Sequence, residues 1–285
     1  MATAEAALPS LSVIIPAHNE ETVIGDCLAA LFASEKGLGQ REAIVVANGC
    51  NDRTARCARD MAGAAAEAGW DLQVLDLPKG GKPGALRAGD AAASGDILAY
   101  LDADVTVSPD VMGQLVAQLA GATPRYGSGT PQVAHATTAV TRAYAGFWTT
   151  LPFVTDDVPG FGLFAMNRAG HDRMGAWPDV ISDDTFARLS FAPSERHKVA
   201  GGYIWPMVEG WANLVRVRRR QDQGVAEIRA RFPALLVNDT VTPPDLAGKL
   251  GRALRDPLGF VVYVAVALTT RTPLWRNAQI WQRGR

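Results

Sequence analysis

Cysteine is scarce in this chain of 285 residues, which contains only Cys27, Cys50 and Cys57. Zinc sites and disulfide scaffolds need cysteines in paired, regular spacings, and no such pair occurs here. Cys27 falls on the apolar face of a predicted helix, where we expect a small core residue. The scarcity therefore excludes a disulfide-rich secreted fold, and the cytoplasm is the expected compartment.

An excess of charge of either sign is also missing, because 28 basic residues meet 29 acidic ones for a net charge of −1. A protein that binds nucleic acid through its charge needs a basic excess that displaces counterions. Nucleic acid is therefore not a predicted partner. Hydrophobic residues at 48% and charged residues at 20% are near globular averages, which excludes a disordered, collagen-like or coiled-coil chain.

Long hydrophobic runs are absent too. Residues 1–10 lack the basic segment and apolar core of a signal peptide. The apolar run at residues 258–268, LGFVVYVAVAL, has eleven residues, about half of the roughly 20 that a membrane-spanning helix needs. We expect a core helix or strand there. Because Arg252, Arg255 and Arg271 flank the run, a peripheral contact with the inner face of a membrane is the alternative.

Two phosphate-binding motifs are missing. The glycines of GGKPG at residues 80–84 do not form GxGxxG, and GxxxxGK[ST] does not occur. A dinucleotide dehydrogenase and a P-loop enzyme are therefore excluded.

What the chain does have is a regular alternation of strand and helix patterns over its first 120 residues. Short apolar runs predict strands at residues 11–15 (ended by Pro16), 43–47, 72–75 and 97–101. Helical patterns lie between them: around residues 23–32, from Asn51 or Asp52 to residue 68, at 82–93, and after Ser108-Pro109. This alternation predicts an α/β fold with a mostly parallel sheet flanked by helices. After Gly121 the rhythm breaks into mixed strands and long loops, followed by a basic helix from Gly210.

Polar residues follow three of the predicted strands, where ligands bind in open parallel sheets. They are PAHNE at 16–20, NGCND at 48–52 and the triplet Asp102-Ala103-Asp104. The two carboxylates of the triplet share one face of an extended segment, and a hard divalent cation with a substrate diphosphate would neutralise them. The alternative is that Asp102 caps a turn and Asp104 is merely solvated.

The ordered segments SVIIPAHNEE, VVANGCND, GKPGALRAG, AYLDAD, GLFAMNRAG, ISDD and RRRQDQG resemble the family 2 inverting glycosyltransferases of GT-A fold. The resemblance implies one GT-A domain over residues 1–224, with a nucleotide-binding half at 11–120 and a mixed-strand acceptor half at 121–224. Residues 225–285 would form an extension, packed on the domain or interfacial. The implied nucleotide-sugar-binding residues are Pro16, Ala17, His18, Glu20, Asn48, Asp52, Lys82, Asp102, Ala103 and Arg220, and the implied metal ligand is Asp104 for Mn²⁺ or Mg²⁺.

Several of these assignments keep an alternative. His18 is either a nucleotide contact or a satisfied loop histidine, and Lys82 either offsets diphosphate charge or is solvated. Where the family usually carries two acids, this chain has Ala47 and Asn48. The Asn48 amide oxygen could accept a hydrogen bond from uracil, so a UDP-sugar is favoured, with GDP and TDP open.

The ISDD segment aligns with the acidic pair that carries the catalytic base in the family. This implies that Asp184 takes the proton of the acceptor hydroxyl and that Asp183 stands in for a glutamate. The register stays open, as does helix capping by Ser182 or Asp183. Of the QxxRW motif of processive members only Arg220 survives, which implies a non-processive enzyme.

The function implied is a metal-dependent glycosyltransferase of glycan, exopolysaccharide or glycolipid synthesis, with a glycan or lipid-linked acceptor. Three alternatives remain: a polyprenyl-phosphate glycosyltransferase at the membrane surface, a noncatalytic nucleotide-sugar or glycan-binding protein, and a nucleotidyltransferase. Among the aromatic residues, Trp177 is the candidate for a sugar contact because it precedes the ISDD loop.

Overall fold

A computed structural model describes residues 8–35, 39–242 and 245–274. The chain divides into two compact units. The sheet unit comprises residues 1–130, 160–179 and 191–204, and the helical unit comprises residues 131–159, 180–190 and 205–285.

The strands are β1 (Leu11–Ala17), β2 (Arg41–Asn48), β3 (Asp71–Leu77), β4 (Ile97–Leu101), β5 (Thr106–Val107), β6 (Tyr126–Val133), β7 (Leu163–Asn167) and β8 (Arg196–Trp205). The α-helices are α1 (Ile24–Phe32), α2 (Thr54–Arg59), α3 (Ala62–Glu67), α4 (Lys82–Ala92), α5 (Val111–Leu119), α6 (Ala139–Trp148), α7 (Pro152–Thr155), α8 (Arg168–Met174), α9 (Asp183–Leu189), α10 (Trp211–Arg231), α11 (Leu246–Arg255) and α12 (Pro257–Thr269). Two 3₁₀ helices span Pro193–Glu195 and Pro233–Asn238.

The strands form one sheet in the order β3-β2-β1-β4-β7-β6-β8-β5. β1 to β4 pair in parallel, with Val13 opposite Ala43 on β2 and Ala99 on β4. The pairs β4–β7, β6–β7 and β5–β8 are antiparallel. All residues of β1 and β4 are buried, as expected for strands covered on both faces. The α/β architecture, with a parallel first half and mixed strands after it, is confirmed.

Two local predictions were wrong. β1 does not end at Pro16 but continues to Ala17; its ladder with β4 ends at Ile14, so the missing amide hydrogen of Pro16 falls outside that ladder. The helix predicted from residue 51 or 52 to residue 68 is two short helices, α2 and α3, with a turn at Asp60 and Met61 between them.

In the helical unit, α10 is a single helix that continues across the predicted boundary between residues 224 and 225. The run at residues 258–268 lies in α12, which packs one side on α6 through Phe147 and Phe260, whose ring centroids are 5.6 Å apart. The domain boundary and the interfacial role of this run stay predictions. Within the described parts of the chain, no helix combines the length and apolarity needed to cross a membrane.

Candidate active site

Asn48 joins the loops that follow β1 and β2 to the loop that precedes α4. Its side chain is 1% exposed and donates from Nδ2 to the carbonyl oxygen of Ala17 at 2.8 Å. Its Oδ1 accepts from the backbone N–H of Gly81 at 3.0 Å. These bonds make Asn48 a buried positioning residue. They do not provide the exposed amide oxygen on which the predicted uracil contact depends.

The same loops approach each other closely at Gly49. This residue has a φ of 59°, and a Cβ atom there would lie 2.5 Å from the backbone nitrogen of Gly80. Only glycine combines this backbone conformation with this contact. The sequence pattern shows both glycines but not that they meet.

Glu20 and Asp52 are linked through Thr54, a residue that the sequence did not single out. Glu20 is 2% exposed, and its backbone N–H donates to the Thr54 hydroxyl at 2.7 Å. Asp52 accepts from the backbone N–H groups of Thr54 at 3.0 Å and Glu21 at 3.1 Å. Burial raises the pKa of Asp52, but the hydrogen bonds from Thr54 and Glu21 outweigh it and hold this pKa below its ordinary value. Asp52 therefore stabilises the start of α2 as a charged carboxylate.

His18 contacts the loop after β2, since its Nδ1 donates to the carbonyl oxygen of Asn48 at 2.7 Å. This bond is what the loop-histidine alternative predicts. Pro16, Ala17 and Ala103 are buried, so these three residues shape the loops through their backbone.

Lys82 and Asp102 form an ion pair, with Nζ 2.9 Å from Oδ1 and both side chains mostly buried. Lys82 is the first residue of α4, and Asp102 directly follows β4. The pair therefore fixes a cation and a carboxylate at the carboxyl end of the parallel strands, where ligands bind in such sheets.

Asp104 follows Asp102 by two residues, and the charges of both carboxylates act on the buried thiol of Cys27. Burial is the main cause that raises the pKa of Cys27, and the charges of Asp104 and Asp102 raise it further. Both carboxylates are thus close to one thiol, and Cys27 is the buried core residue that the sequence predicts.

These residues fit a divalent cation shared with a substrate. Mg²⁺ and similar ions at diphosphates are commonly held by one or two carboxylates, with phosphate oxygens and water completing the shell. Across the described residues, no group of three or more His, Cys, Asp and Glu side chains is arranged to hold a metal by itself. The donor set therefore suits a cation held by Asp104 together with a diphosphate.

In the helical unit, the ISDD segment leads into α9, of which Asp183 and Asp184 are the first two residues. Asp183 is 6% exposed, whereas Asp184 is half-buried and reaches solvent more readily. Ser182 stands at the N-cap position, but its side chain makes no capping hydrogen bond to the helix. The first turn of a helix favours negative charge, which stabilises two adjacent carboxylates there.

Helix α10 contacts the ISDD segment at two points that the sequence did not predict. Glu227 Oε2 accepts from the backbone N–H of Ile181 at 2.9 Å. Gly224 packs against Ser182, and a Cβ atom at residue 224 would lie 3.0 Å from the Ser182 Cβ atom. The glycine in a helical stretch was the available signal, because an interior helical glycine often marks a close approach.

The arginine run on α10 is largely structural. Arg218 donates to the Tyr263 hydroxyl at 2.8 Å, and Arg219 donates to the carbonyl oxygen of Thr270 at 3.0 Å. Both therefore tie α10 to α12. Arg220 is half-buried, and its predicted role at the diphosphate stays a prediction.

Trp177 does not offer a ring face to a sugar. It is 2% exposed and packs edge-on against Tyr100, with ring centroids 5.1 Å apart, beside Phe164. The predicted sugar contact of Trp177 is therefore wrong, because an apolar core of aromatic rings takes up its surface.

Comparison with known proteins identifies the first half of the chain. Residues 12–145, which include the loops after β1, β2 and β4, match the model of the family described as Glycosyl transferase family 2. The predicted resemblance to family 2 glycosyltransferases is thereby confirmed for this part of the chain.

Glycosyltransferases are among the curated relatives. The chain is 31% identical to the probable glycosyltransferase YdaM of Bacillus subtilis over 200 residues, which cover 62% of this chain and 45% of YdaM. It is 33% identical to an undecaprenyl-phosphate 4-deoxy-4-formamido-L-arabinose transferase of Pseudomonas fluorescens over 112 residues, 39% of this chain and 32% of the relative. The chain thus spans less than half the length of these relatives.

Solved structures of glycosyltransferases share the fold. A mannosyltransferase of Pyrobaculum calidifontis, solved with GDP-Man and Mn²⁺, aligns with a TM-score of 0.61 at 20% identity over 94% of this chain and 77% of its own. Glucosyl-3-phosphoglycerate synthase of Mycobacterium tuberculosis, solved with Mn²⁺ and UDP, aligns with a TM-score of 0.51 at 23% identity over 84% of this chain and 82% of its own. At these identities the likeness establishes the fold, which is GT-A.

Proposed function

We propose that the chain is a family 2 glycosyltransferase that is metal-dependent, inverting and non-processive, and that it moves a sugar from a nucleoside diphosphate sugar to an acceptor hydroxyl. The observation that carries the proposal is the group of Lys82, Asp102 and Asp104 at the carboxyl end of the parallel strands. Opposite charges are already placed there for a ribose, a diphosphate and a cation.

The donor half of the site lies in the loops that Asn48 holds together. Lys82 provides a fixed ammonium that offsets diphosphate charge, and its partner Asp102 contacts the ribose. UDP is the favoured nucleotide, with GDP and TDP as alternatives, since the structural relatives include complexes with UDP and with GDP-Man.

Asp104 and the donor's diphosphate would together hold Mn²⁺ or Mg²⁺, which supplies a Lewis acid for the departing nucleoside diphosphate. Asp184 accepts the proton of the acceptor hydroxyl while the hydroxyl oxygen bonds to the anomeric carbon. The bond from that carbon to the diphosphate breaks, and its electron pair leaves with the diphosphate oxygen. One displacement on the face opposite the leaving group inverts the configuration of the sugar. Asp184 is favoured over Asp183 because it is the more exposed of the two.

The acceptor is a glycan or a lipid-linked molecule. A polyprenyl-phosphate acceptor is the second candidate, and the match to undecaprenyl-phosphate transferases favours it. Transfer assays with a water-soluble glycan and with a short-chain polyprenyl phosphate separate these two candidates.

Metal dependence is tested by calorimetry of UDP binding with and without Mn²⁺, in wild type and in Asp104→Asn. We expect the variant to lose roughly tenfold or more in affinity with Mn²⁺ present, which is about 1.4 kcal/mol or more. Asp60→Asn, at an exposed aspartate between α2 and α3, is the matched control and should bind like wild type. Equal affinities of wild type and Asp104→Asn would refute the metal assignment. The anomeric coupling constants of donor and product, compared by NMR, test inversion.

A further inference from the structure

Helix α11 is amphipathic, and its apolar side faces outward. Leu246, Leu250 and Leu254 follow one another at four-residue spacing and so share one side of the helix. They are 83%, 61% and 74% exposed. A surface helix of a globular protein normally turns such a stripe toward the core.

Arg252, which lies off this leucine stripe, contacts the protein. Arg252 donates from Nε to the carbonyl oxygen of Thr150 at 3.1 Å, within the helical unit. The apolar surface continues onto α12, where Leu258 and Val261 are 67% and 60% exposed. Several exposed large apolar side chains on two successive helices indicate an interaction site.

The charges around this surface indicate which partner covers it. Residues 245–274 carry four basic and two acidic side chains, in a chain whose net charge is −1. Both acids serve as helix caps, since Asp245 accepts from the backbone N–H of Gly248 and Asp256 from that of Gly259. Lys249 and Arg255 are exposed. The rim of the apolar stripe is therefore basic, which complements an anionic surface.

We infer that α11 binds the surface of an anionic lipid bilayer. The three leucines enter the boundary between headgroups and acyl chains, and Lys249 and Arg255 contact lipid phosphates. A second copy of this chain fits less well, because a two-fold contact between two α11 helices brings their basic rims together. The proposed membrane contact therefore lies at residues 246–255 and not at residues 258–268, which pack partly on α6.

Flotation of the purified chain with vesicles tests this inference, and it needs no substrate, so its outcome is independent of glycosyl transfer. The vesicles are phosphatidylcholine alone, or phosphatidylcholine mixed with phosphatidylglycerol. We expect binding to the mixed vesicles, and a loss of roughly tenfold or more in partitioning for the triple variant L246Q/L250Q/L254Q. Lys249→Gln and Arg255→Gln should each lower binding to the mixed vesicles by about fivefold at low salt.

Val237→Gln is the matched control, because Val237 is 81% exposed in the same unit but outside α11. It should bind like wild type, and all variants should melt at the wild-type temperature because the substituted side chains are exposed. Absence of binding by the wild type, or unchanged binding by the triple variant, overturns the inference. The inference is also overturned if the wild type binds neither kind of vesicle, forms a dimer in solution, and loses that dimer when the leucines are substituted.

Discussion

The contact between Gly224 and the ISDD segment makes a prediction whose size follows from the structure. A Cβ atom on residue 224 would overlap the Ser182 hydroxyl oxygen, which can rotate away, and it would lie 3.0 Å from the Ser182 Cβ atom and 3.2 Å from that of Ile181. Gly224→Ala must therefore push the segment away from α10 by a few tenths of an ångström. Asp184, two residues beyond Ser182, would move with it.

Two opposing effects set the change in stability. Overpacking at a buried contact costs roughly 1–3 kcal/mol, while alanine gains about 1 kcal/mol over glycine in a helix. We expect a net loss of about 0–2 kcal/mol in the free energy of unfolding. Turnover is the more sensitive readout, because a misplacement of 1 Å can cost about 10²-fold in rate, so a shift of this size predicts a fall in kcat of several-fold to about tenfold.

The assay measures kcat, the dissociation constant of the donor and urea unfolding for Gly224→Ala. Donor affinity should stay at the wild-type value. Gly251→Ala is the matched control, because a Cβ atom at this helical position meets nothing within 4 Å and should only stabilise α11. Adding Ser182→Gly to Gly224→Ala removes the clashing atoms of Ser182, the nearest ones, and should restore most of kcat. If Gly224→Ala gains stability as Gly251→Ala does and keeps full turnover, α10 does not position the ISDD segment.

Two further substitutions test the loop network and the cap of α6. Asn48→Ala should destabilise the chain by about 1–3 kcal/mol in urea unfolding, because it leaves buried backbone groups without their partners. Asn48→Asp should lower the free energy of unfolding further, since a carboxylate cannot donate to the carbonyl oxygen of Ala17. Glu209 accepts from the backbone N–H groups of Thr137 and Thr138, and although burial raises its pKa, these hydrogen bonds outweigh burial and lower it from 4.5 to about 2. The charge of Glu209 therefore contributes stability above pH 4.5, and this stability is lost as the pH falls toward 2. The difference in melting temperature between wild type and Glu209→Gln should be largest near neutral pH and should shrink between pH 4.5 and 2. A difference that does not depend on pH would contradict this.

Apolar runs and helical spacing predicted the parallel half of the fold, because those signals are local. The strand at 97–101 was predicted with the bounds that β4 has. The break between α2 and α3 was not predicted, because residues 54–67 contain no proline and no strand pattern that would interrupt the helical spacing.

The candidate site was predictable where the residue type alone indicates the chemistry, as for the two carboxylates after β4. It was not predictable where burial decides the role. Asn48 and Trp177 carry groups able to bind a ligand, yet both are enclosed by partners from distant parts of the chain. The contacts of Gly224 and Glu227 with the ISDD segment likewise join residues more than 40 positions apart, which no local pattern reports.

The most direct test of the proposed mechanism is transfer by Asp184→Asn and Asp183→Asn, with donor binding measured separately by calorimetry. Asp184 should act only on the acceptor, so Asp184→Asn should keep donor affinity within a factor of a few and lower transfer by roughly 10²-fold or more. Asp183→Asn should lower transfer less, and melting temperatures control for misfolding. Near-normal transfer by Asp184→Asn would contradict the account: with Asp183→Asn inactive the base is Asp183, and with both variants active the ISDD segment carries no base.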